Sequence, residues 1–330
     1  MAKGNMVSPL AGKRLSRLNV TEIRKLLEGV APDEALIAKL KRDPRTGVRN
    51  LANSFRTMMD HIEHLENHHN EMLTFERELR SRGKTLIAGV DEAGCGPWAG
   101  PVAIGCVIFP DGVHLPGLDD SKKMTKPHRE EMYDRIIETA LAWNITLMDH
   151  IVIDEFGIHG TALRGMTKVV EMLSITPEFV LVDGRAMPSL SCPGSCIVDG
   201  DALSLTIAAA SVLAKVTRDK IMVEMDALYP GYGFKNHKGY SCKNHIEAVK
   251  KLGPCDIHRI SFEVVSAVAP PGTVRAILEK RLRDAASPEI LESVANGIAR
   301  NGRFVSESDL EHLRAVYQEK KTEVRRQKTE

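Results

Sequence analysis

No apolar run in this 330-residue chain approaches the ~20 residues a membrane-spanning helix needs, which argues against an integral membrane protein. The opening stretch MAKGNMVSPLAGKRLSRLNV has no long apolar core, so no secretory signal is expected. Paired CxxC spacing is missing too: Cys95, Cys106, Cys192, Cys196, Cys242 and Cys255 are scattered. The CxxxC of Cys192 and Cys196 has no second half-site nearby, so reduced thiols and a cytoplasmic setting are expected rather than a zinc site. Net charge is nearly absent, with 45 Lys and Arg against 44 Asp and Glu. That leaves a nucleic-acid partner open, because such a partner needs only a locally basic face. No internal repeat is found.

What is present fits a globular chain, 43% hydrophobic and 27% charged, long enough for one large α/β domain with extensions or for two domains. The pattern divides it into a helical N-terminal extension over 1–80, an α/β domain over 81–265 and a helical C-terminal region over 266–330. In the first part, 20–30 reads as a short helix with Thr21 as its N-cap. Residues 47–80 read as one long helix whose apolar stripe is Leu51, Phe55, Met58, Ile62, Leu65, Met72, Phe75 and Leu79. The histidines of HIEHLENHHN are expected on its solvated face.

From residue 85 the character changes. Runs at 86–90 and 102–109 predict adjacent strands joined by the turn AGCGPWAGP. Further along, a helix is predicted over 126–143, a strand over 144–152, a helix over 161–173, and short strands at 179–182 and 196–198. A long alanine-rich helix follows over 203–228. Strands alternating with helices predict an α/β domain around a central sheet. Beyond PPG at 270–272, helices are predicted over 273–285 and 308–321, with a frayed tail in KKTEVRRQKTE.

Four acids occupy unusual positions. Asp91 and Glu92 directly follow the apolar run LIAGV, Asp183 follows FVLV, and Asp201 precedes the long apolar helix. Carboxylates at strand ends project into the crevice where a sheet stops. Alternation along a strand would send Asp91 and Glu92 to opposite faces, unless a turn begins at Glu92. Clustered carboxylates repel one another unless cations lie between them, and an all-oxygen donor set suits Mg²⁺ or Mn²⁺. The same acids would also serve as turn or helix caps, a reading that spacing alone leaves open.

The stretch GVDEAGCGPWAGPVAIGCVIF resembles the opening signature of the ribonuclease HII family, usually DEAGRGP. LDDSKKMTKPHREEMYDRI, VLVDG, GDALSLTIAAASVLAKVTRD and YPGYGFKNHKGYSCKNHIEAVKKLGPCDIHRISF resemble its later blocks in order and spacing, over about residues 85–262. The first eighty residues resemble an N-terminal extension of some bacterial members, expected to help grip substrate or steady the catalytic domain. The resemblance implies an RNase H-like fold, a central mixed sheet flanked by helices. It implies a metal-dependent endonuclease acting on RNA–DNA hybrids and on DNA duplexes containing ribonucleotides, cutting on the 5′ side of the ribonucleotide to leave 3′-OH and 5′-phosphate ends. Asp91, Glu92 and Asp183 are implied as principal ligands of Mn²⁺ or Mg²⁺, with Asp201 completing the site. A monomer without membrane attachment is expected.

For substrate contacts, Gly94, Cys95 and Gly96 would offer backbone amides to a phosphate or 2′-hydroxyl. Ser121 and Lys122 would donate to phosphate, and Tyr240 matches the family tyrosine that packs on a sugar. Lys215 and Arg218 lie on the long helix, where Lys215 serves substrate or the core. Lys235, His237, Lys238, Lys243 and His245 read as a phosphate track. Cys95 stands where the family usually has arginine, so a weaker hold on the ribonucleotide junction is expected. Two rivals are a DNA-junction nuclease on the same acidic architecture and a non-catalytic nucleic-acid binder; the carboxylates argue against the second.

Overall fold

The computed structural model describes residues 15–327, with the side chain of Gln327 left aside. The opening residues and the last three, part of the tail expected to fray, lie outside the described residues. The chain divides into two compact units, one up to Glu71 and one from Met72 onward. This division and the expected boundary after residue 80 differ by one short helix.

In the first unit, α1 (Val20–Leu26) and α2 (Glu34–Lys41) precede α3 (Thr46–Met72). The cap of α1 is Asn19, not Thr21: Asn19 and Glu22 exchange backbone-to-side-chain hydrogen bonds, a reciprocal capping box. Ile23, Leu27, Leu36, Leu40, Val48, Leu51 and Ala52 form this unit's core. The expected single helix breaks at Leu73, and α4 (Thr74–Ser81) follows. Its stripe is not continuous either, because Met58 and Ile62 are exposed. Of the histidines, His61 and His64 are exposed as expected, whereas His69 is buried.

The second unit is built on a five-stranded sheet of β1 (Ile87–Ala93), β2 (Val102–Ile108), β3 (Ala142–Met148), β4 (Phe179–Asp183) and β5 (Gly194–Ile197). Their spatial order is β3-β2-β1-β4-β5. The first three strands pair antiparallel, and β4 and β5 add in parallel beyond β1. Helix α5 (Lys126–Thr139) ends earlier than expected, and Trp143 belongs to β3. Helix α6 (His150–Glu171) begins earlier, continuing through a kink at Gly157; the expected strand over 144–152 is correspondingly shorter.

Helix α7 (Leu205–Leu228) crosses one face of the sheet. A Cβ on Gly89 would stand 2.1 Å from the Thr206 backbone and one on Gly105 2.3 Å from the Ala210 carbonyl, so these glycines allow the helix to lie directly on β1 and β2. Val107, Phe109, Leu205, Ala208, Ala209, Val212 and Leu213 fill that layer. On the other face Val90, Ile104, Val180 and Val182 pack beneath Met166 and Val169 of α6. Glu76 of α4 fixes the start of α7: its Oε1 accepts from Ser204 Oγ at 2.7 Å, Thr206 N at 3.0 Å and Thr206 Oγ1 at 2.8 Å. A carboxylate there also complements the positive end of the helix dipole.

Short helices α8 (Phe234–His237), α9 (Lys243–Leu252) and α10 (Glu263–Val268) lead to α11 (Thr273–Asp284), α12 (Pro288–Arg300) and α13 (Glu307–Gln327). Neither α8, α9, α10 nor α12 was foreseen, and α13 runs through most of the tail expected to fray. The buried pair Asp154–Arg281, 3.0 Å apart, ties α11 to α6. No helix among the described residues is long and apolar enough to cross a membrane.

Candidate active site

The parallel register of β1 and β4 pairs Val90 with Val182. One residue further on, Asp91 and Asp183 stand level on neighbouring strands, about 4.8 Å apart by ordinary strand spacing. No turn begins at Glu92, the condition that would have brought both acids to one face: β1 continues to Ala93, and the chain turns at Gly94 with φ +100°. Asp91, only 4% exposed, accepts from the Glu92 amide at 2.7 Å and is hydrogen-bonded by Ser211 of α7. Glu92 accepts a weak hydrogen bond from the Cys95 thiol at 3.5 Å. Asp183 accepts the Gly200 amide at 2.7 Å, which anchors the 3₁₀ turn Gly200–Ala202 containing Asp201. Asp201 therefore does not cap α7; Ser204 does.

All four carboxylates share one electrostatic field. Burial, then the charges of Glu92 and Asp183, push Asp91 well above the usual carboxylate range, against the opposing Ser211 bond. Burial and then, against the Cys95 bond, the Asp183 charge raise Glu92. Burial, offset in part by the Gly200 amide and reinforced by Asp201, raises Asp183. Lys122 is the cation that meets the group: its Nζ lies 3.2 Å from Asp201 Oδ2, and its charge acts on Glu92 and Asp183. Burial pulls the Lys122 ammonium down, but Asp201, Asp120 and Asp91 more than offset this.

An all-oxygen set of mutually repelling, largely desolvated carboxylates fits a hard divalent cation, and an ammonium already stands among them. Among the described residues, no three acid, histidine or cysteine side chains stand close enough to enclose an ion as they are. The carboxylates share a field without forming a closed shell.

The GCG turn is held from below by Arg259, which is 0% exposed. Its Nη2 donates to the Gly94 carbonyl at 2.6 Å, its Nη1 to the Cys95 carbonyl at 3.0 Å and its Nε to the Gly100 carbonyl at 3.0 Å. In trans peptides the amide opposes its carbonyl, so the Cys95 and Gly96 N–H groups point away from the guanidinium. Arg218 is likewise buried and holds the carbonyls of Pro101, Lys238 and Ala99. A Cβ on Gly94 would meet Arg218 Nε at 2.1 Å, so only glycine fits that positive-φ position.

The other expected residues fall into two groups. Tyr240, 42% exposed, lies beside the turn, its Cε1 3.7 Å from where a Gly96 Cβ would stand. Lys215 Nζ is 5.8 Å from the Tyr240 ring centroid but is paired to Asp219 at 2.8 Å. Ser121 is buried, its hydroxyl 3.0 Å from Ser211 Oγ, and it supports Asp91 through Ser211 rather than facing solvent. His245 is fully buried and so drops out of the expected phosphate track, and His237 Nε2 is engaged by the Tyr232 carbonyl at 2.9 Å. Ser211, Arg259 and His258 carried no assigned role in the sequence. An arginine set between Ile257, Ile260 and Phe262 is the one signal that could have pointed to Arg259.

A mixed sheet with acids at adjoining strand ends, helices on both faces and a glycine turn beside the acids defines an RNase H-like α/β protein. The family pattern described as Ribonuclease HII matches residues 88–265, and that described as Ribonuclease HII N-terminal domain matches residues 19–80. The chain is 43% identical over 255 residues to the ribonuclease HII of Halalkalibacterium halodurans, covering 77% of this chain and 97% of that one. It is 46% identical over 198 residues to the ribonuclease HII of Geobacter metallireducens, covering 60% and 93%. A ribonuclease H2 structure from Pyrococcus horikoshii superposes with a TM-score of 0.48 at 25% identity, covering 55% of this chain and 96% of that one. This chain belongs to the ribonuclease HII family, endoribonucleases that act on RNA paired with DNA.

Proposed function

We propose that this protein hydrolyses the RNA strand of RNA–DNA hybrids and cuts 5′ of ribonucleotides embedded in duplex DNA, leaving 3′-OH and 5′-phosphate ends. The carrying observation is the field shared by Asp91 and Glu92 near the end of β1, Asp183 at the end of β4 and Asp201 in the turn before α7. These four residues would hold Mg²⁺ or Mn²⁺. When bound, such ions supply an activated water and charge stabilisation at the scissile phosphate and its leaving 3′ oxygen.

The chain's own residues do the rest. Ser211 and the Gly200 amide fix the Asp91 and Asp183 carboxylates. Lys122 brings a cation to the rim of the cluster, suited to a non-bridging phosphate oxygen. The amides of Cys95 and Gly96, turned away from Arg259, offer donors to a 2′-hydroxyl or phosphate, the group that separates ribose from deoxyribose. Tyr240 supplies a flat face for the neighbouring sugar. Lys235, Lys238 and Lys243 extend the basic surface for the duplex backbone.

The test is a labelled duplex with a lone ribonucleotide, incubated with each metal beside a long hybrid and an all-DNA control. Cleavage 5′ of the ribonucleotide and none of the all-DNA duplex is expected. Equal cutting of the all-DNA duplex would favour a DNA nuclease on the same architecture.

A further inference from the structure

We infer that His258 and His245 form a buried hydrogen-bond relay that positions Tyr240 against the substrate; this rests on the reading of Tyr240 as a substrate contact. Both rings are 0% exposed, and neither touches the acidic cluster's hydrogen-bond network. The Cys255 amide donates to His258 Nδ1 at 2.9 Å. A neutral imidazole whose Nδ1 accepts carries its proton on Nε2. That proton faces His245 Nε2 at 3.1 Å. His245 must then accept there and carry its own proton on Nδ1, which lies 3.0 Å from the Tyr240 carbonyl. The direction of each link follows from the one before it, starting at a backbone N–H whose polarity is fixed.

The relay ends where the chain most needs holding. Lys238 and Gly239 both sit in the left-handed region, with φ 53° and 83°, and for Lys238 that conformation is uncommon, so contacts from outside the turn help to hold it. Three consecutive carbonyls of this turn have dedicated donors: Lys238 from Arg218 Nη1 at 3.0 Å, Gly239 from the Trp98 amide at 2.9 Å, and Tyr240 from His245. Two of these donors, Arg218 and Trp98, also belong to the fabric of the GCG turn, Arg218 through Ala99 and Pro101. The third fixes the residue whose ring faces Gly96. Aromatic neighbours lock the His245 ring: His237 stacks on it at 4.6 Å and 18°, Phe234 meets it edge-on at 5.5 Å, and Trp98 lies at 5.6 Å. A ring so enclosed sets the position of the carbonyl it serves. His245 and His258 are thus positioning residues for ribonucleotide-junction recognition, acting through Tyr240.

The experiment uses the full chain on the lone-ribonucleotide duplex, with kcat and KM measured separately. In His245→Asn the amide nitrogen takes roughly the place of Nδ1 and keeps the donor to Tyr240. In His245→Gln it reaches the place of Nε2 and leaves that carbonyl without one. The Gln variant is expected to raise KM about three- to tenfold, the size of one lost hydrogen bond, with kcat nearly kept. The Asn variant is expected within about twofold of the parent on the same scale. Placed on Tyr240→Ala, His245→Gln should add nothing further. Equal losses in Asn and Gln, or a Gln effect that adds fully to Tyr240→Ala, overturn the relay and leave two core histidines. An unchanged KM in Tyr240→Ala instead removes the substrate role of Tyr240, and the relay's purpose with it. Should the Gln variant fail to fold, ¹⁵N resonances of the unmodified protein decide: protons on Nδ1 of His245 and Nε2 of His258 are required, and the reverse pair overturns the inference.

Discussion

Asp91 and Asp183 stand level on neighbouring parallel strands, and the Asp183 charge adds to burial in raising the Asp91 pKa. The site is therefore paid for in stability by the cation-free fold. Asp183→Asn keeps an oxygen for the Gly200 amide while removing one charge. It is expected to hold or raise stability without divalent ions, by about 1 kcal/mol, while cleavage falls about a hundredfold or more. Urea unfolding in chelator, beside single-turnover cleavage, checks both. A clear loss of stability, or cleavage at the parental rate, would contradict the placement of Asp183 among repelling ligands.

The same repulsion predicts a strong response to metal. Mg²⁺ or Mn²⁺ binding only the folded chain stabilises it by about 2.7 kcal/mol at a concentration one hundred times its Kd. A rise in Tm with added ion is expected for the parent, reversed by chelator, and absent or much reduced in Asp91→Asn. A Tm indifferent to either ion in the parent would remove the four carboxylates from metal binding.

Much of this was legible in the sequence, because the acids follow unbroken apolar runs. LIAGV and FVLV read as short β-prone runs, so Asp91, Glu92 and Asp183 were expected at or near strand ends, although the same positions also suited turn caps. Less legible were features set by tertiary partners. Ser121 looks like a surface turn residue, yet Ser211 draws its hydroxyl inward. His245 reads as part of a basic surface, yet lies in an aromatic box. Trp143 extends the helical pattern of α5 but pairs across from Val107 in β3, where sheet partners override local preference. The break at Leu73 is not marked by glycine or proline and has no local signal.

Acid sensitivity should come first from buried histidines. Burial pushes His258 down to about 3 and His245 to about 4, and it lowers His150 well below its ordinary value. The unfolded chain binds protons near 6.5, so this stability is fully present above that pH. It is lost as pH falls toward the folded values. Between pH 7 and 5 each of His245 and His258 accounts for on the order of 2 kcal/mol. The raised carboxylates Asp91, Glu92 and Asp183 act the opposite way, contributing stability at low pH that is lost as pH rises through their folded values. The comparison is therefore between slopes. Urea unfolding from pH 7 to 5 should fall less steeply in His258→Gln than in the parent, and equal slopes would place the titration elsewhere.

Cys95 stands where the family usually has arginine, and its side chain turns toward Glu92 and the apolar layer under α6. Cys95→Arg is expected to tighten binding to a single-ribonucleotide junction by roughly tenfold, the scale of one charged hydrogen bond. Equilibrium titration of the duplex in Ca²⁺ measures this without turnover. An unchanged Kd would mean that Arg259, which already clamps the Gly94 and Cys95 carbonyls, supplies the whole hold on the turn.

Glu76 connects a short N-terminal helix to the chemistry. Its Oε1 takes three donors from Ser204 and Thr206 at the start of α7, and α7 carries Ser211, which hydrogen-bonds Asp91. Glu76→Ala would leave three buried donors without that acceptor, each worth about 1 kcal/mol or more, so a loss of about 2–4 kcal/mol is expected. Glu76→Gln retains an acceptor oxygen and should lose about 1 kcal/mol. Because α7 would fray from the end nearest the acids, cleavage by Glu76→Ala should decline at temperatures where most of the protein is still folded. Cleavage and circular dichroism followed on one heating ramp test this. Activity that tracks the folded fraction alone would confine Glu76 to stability and detach it from the alignment of Asp91.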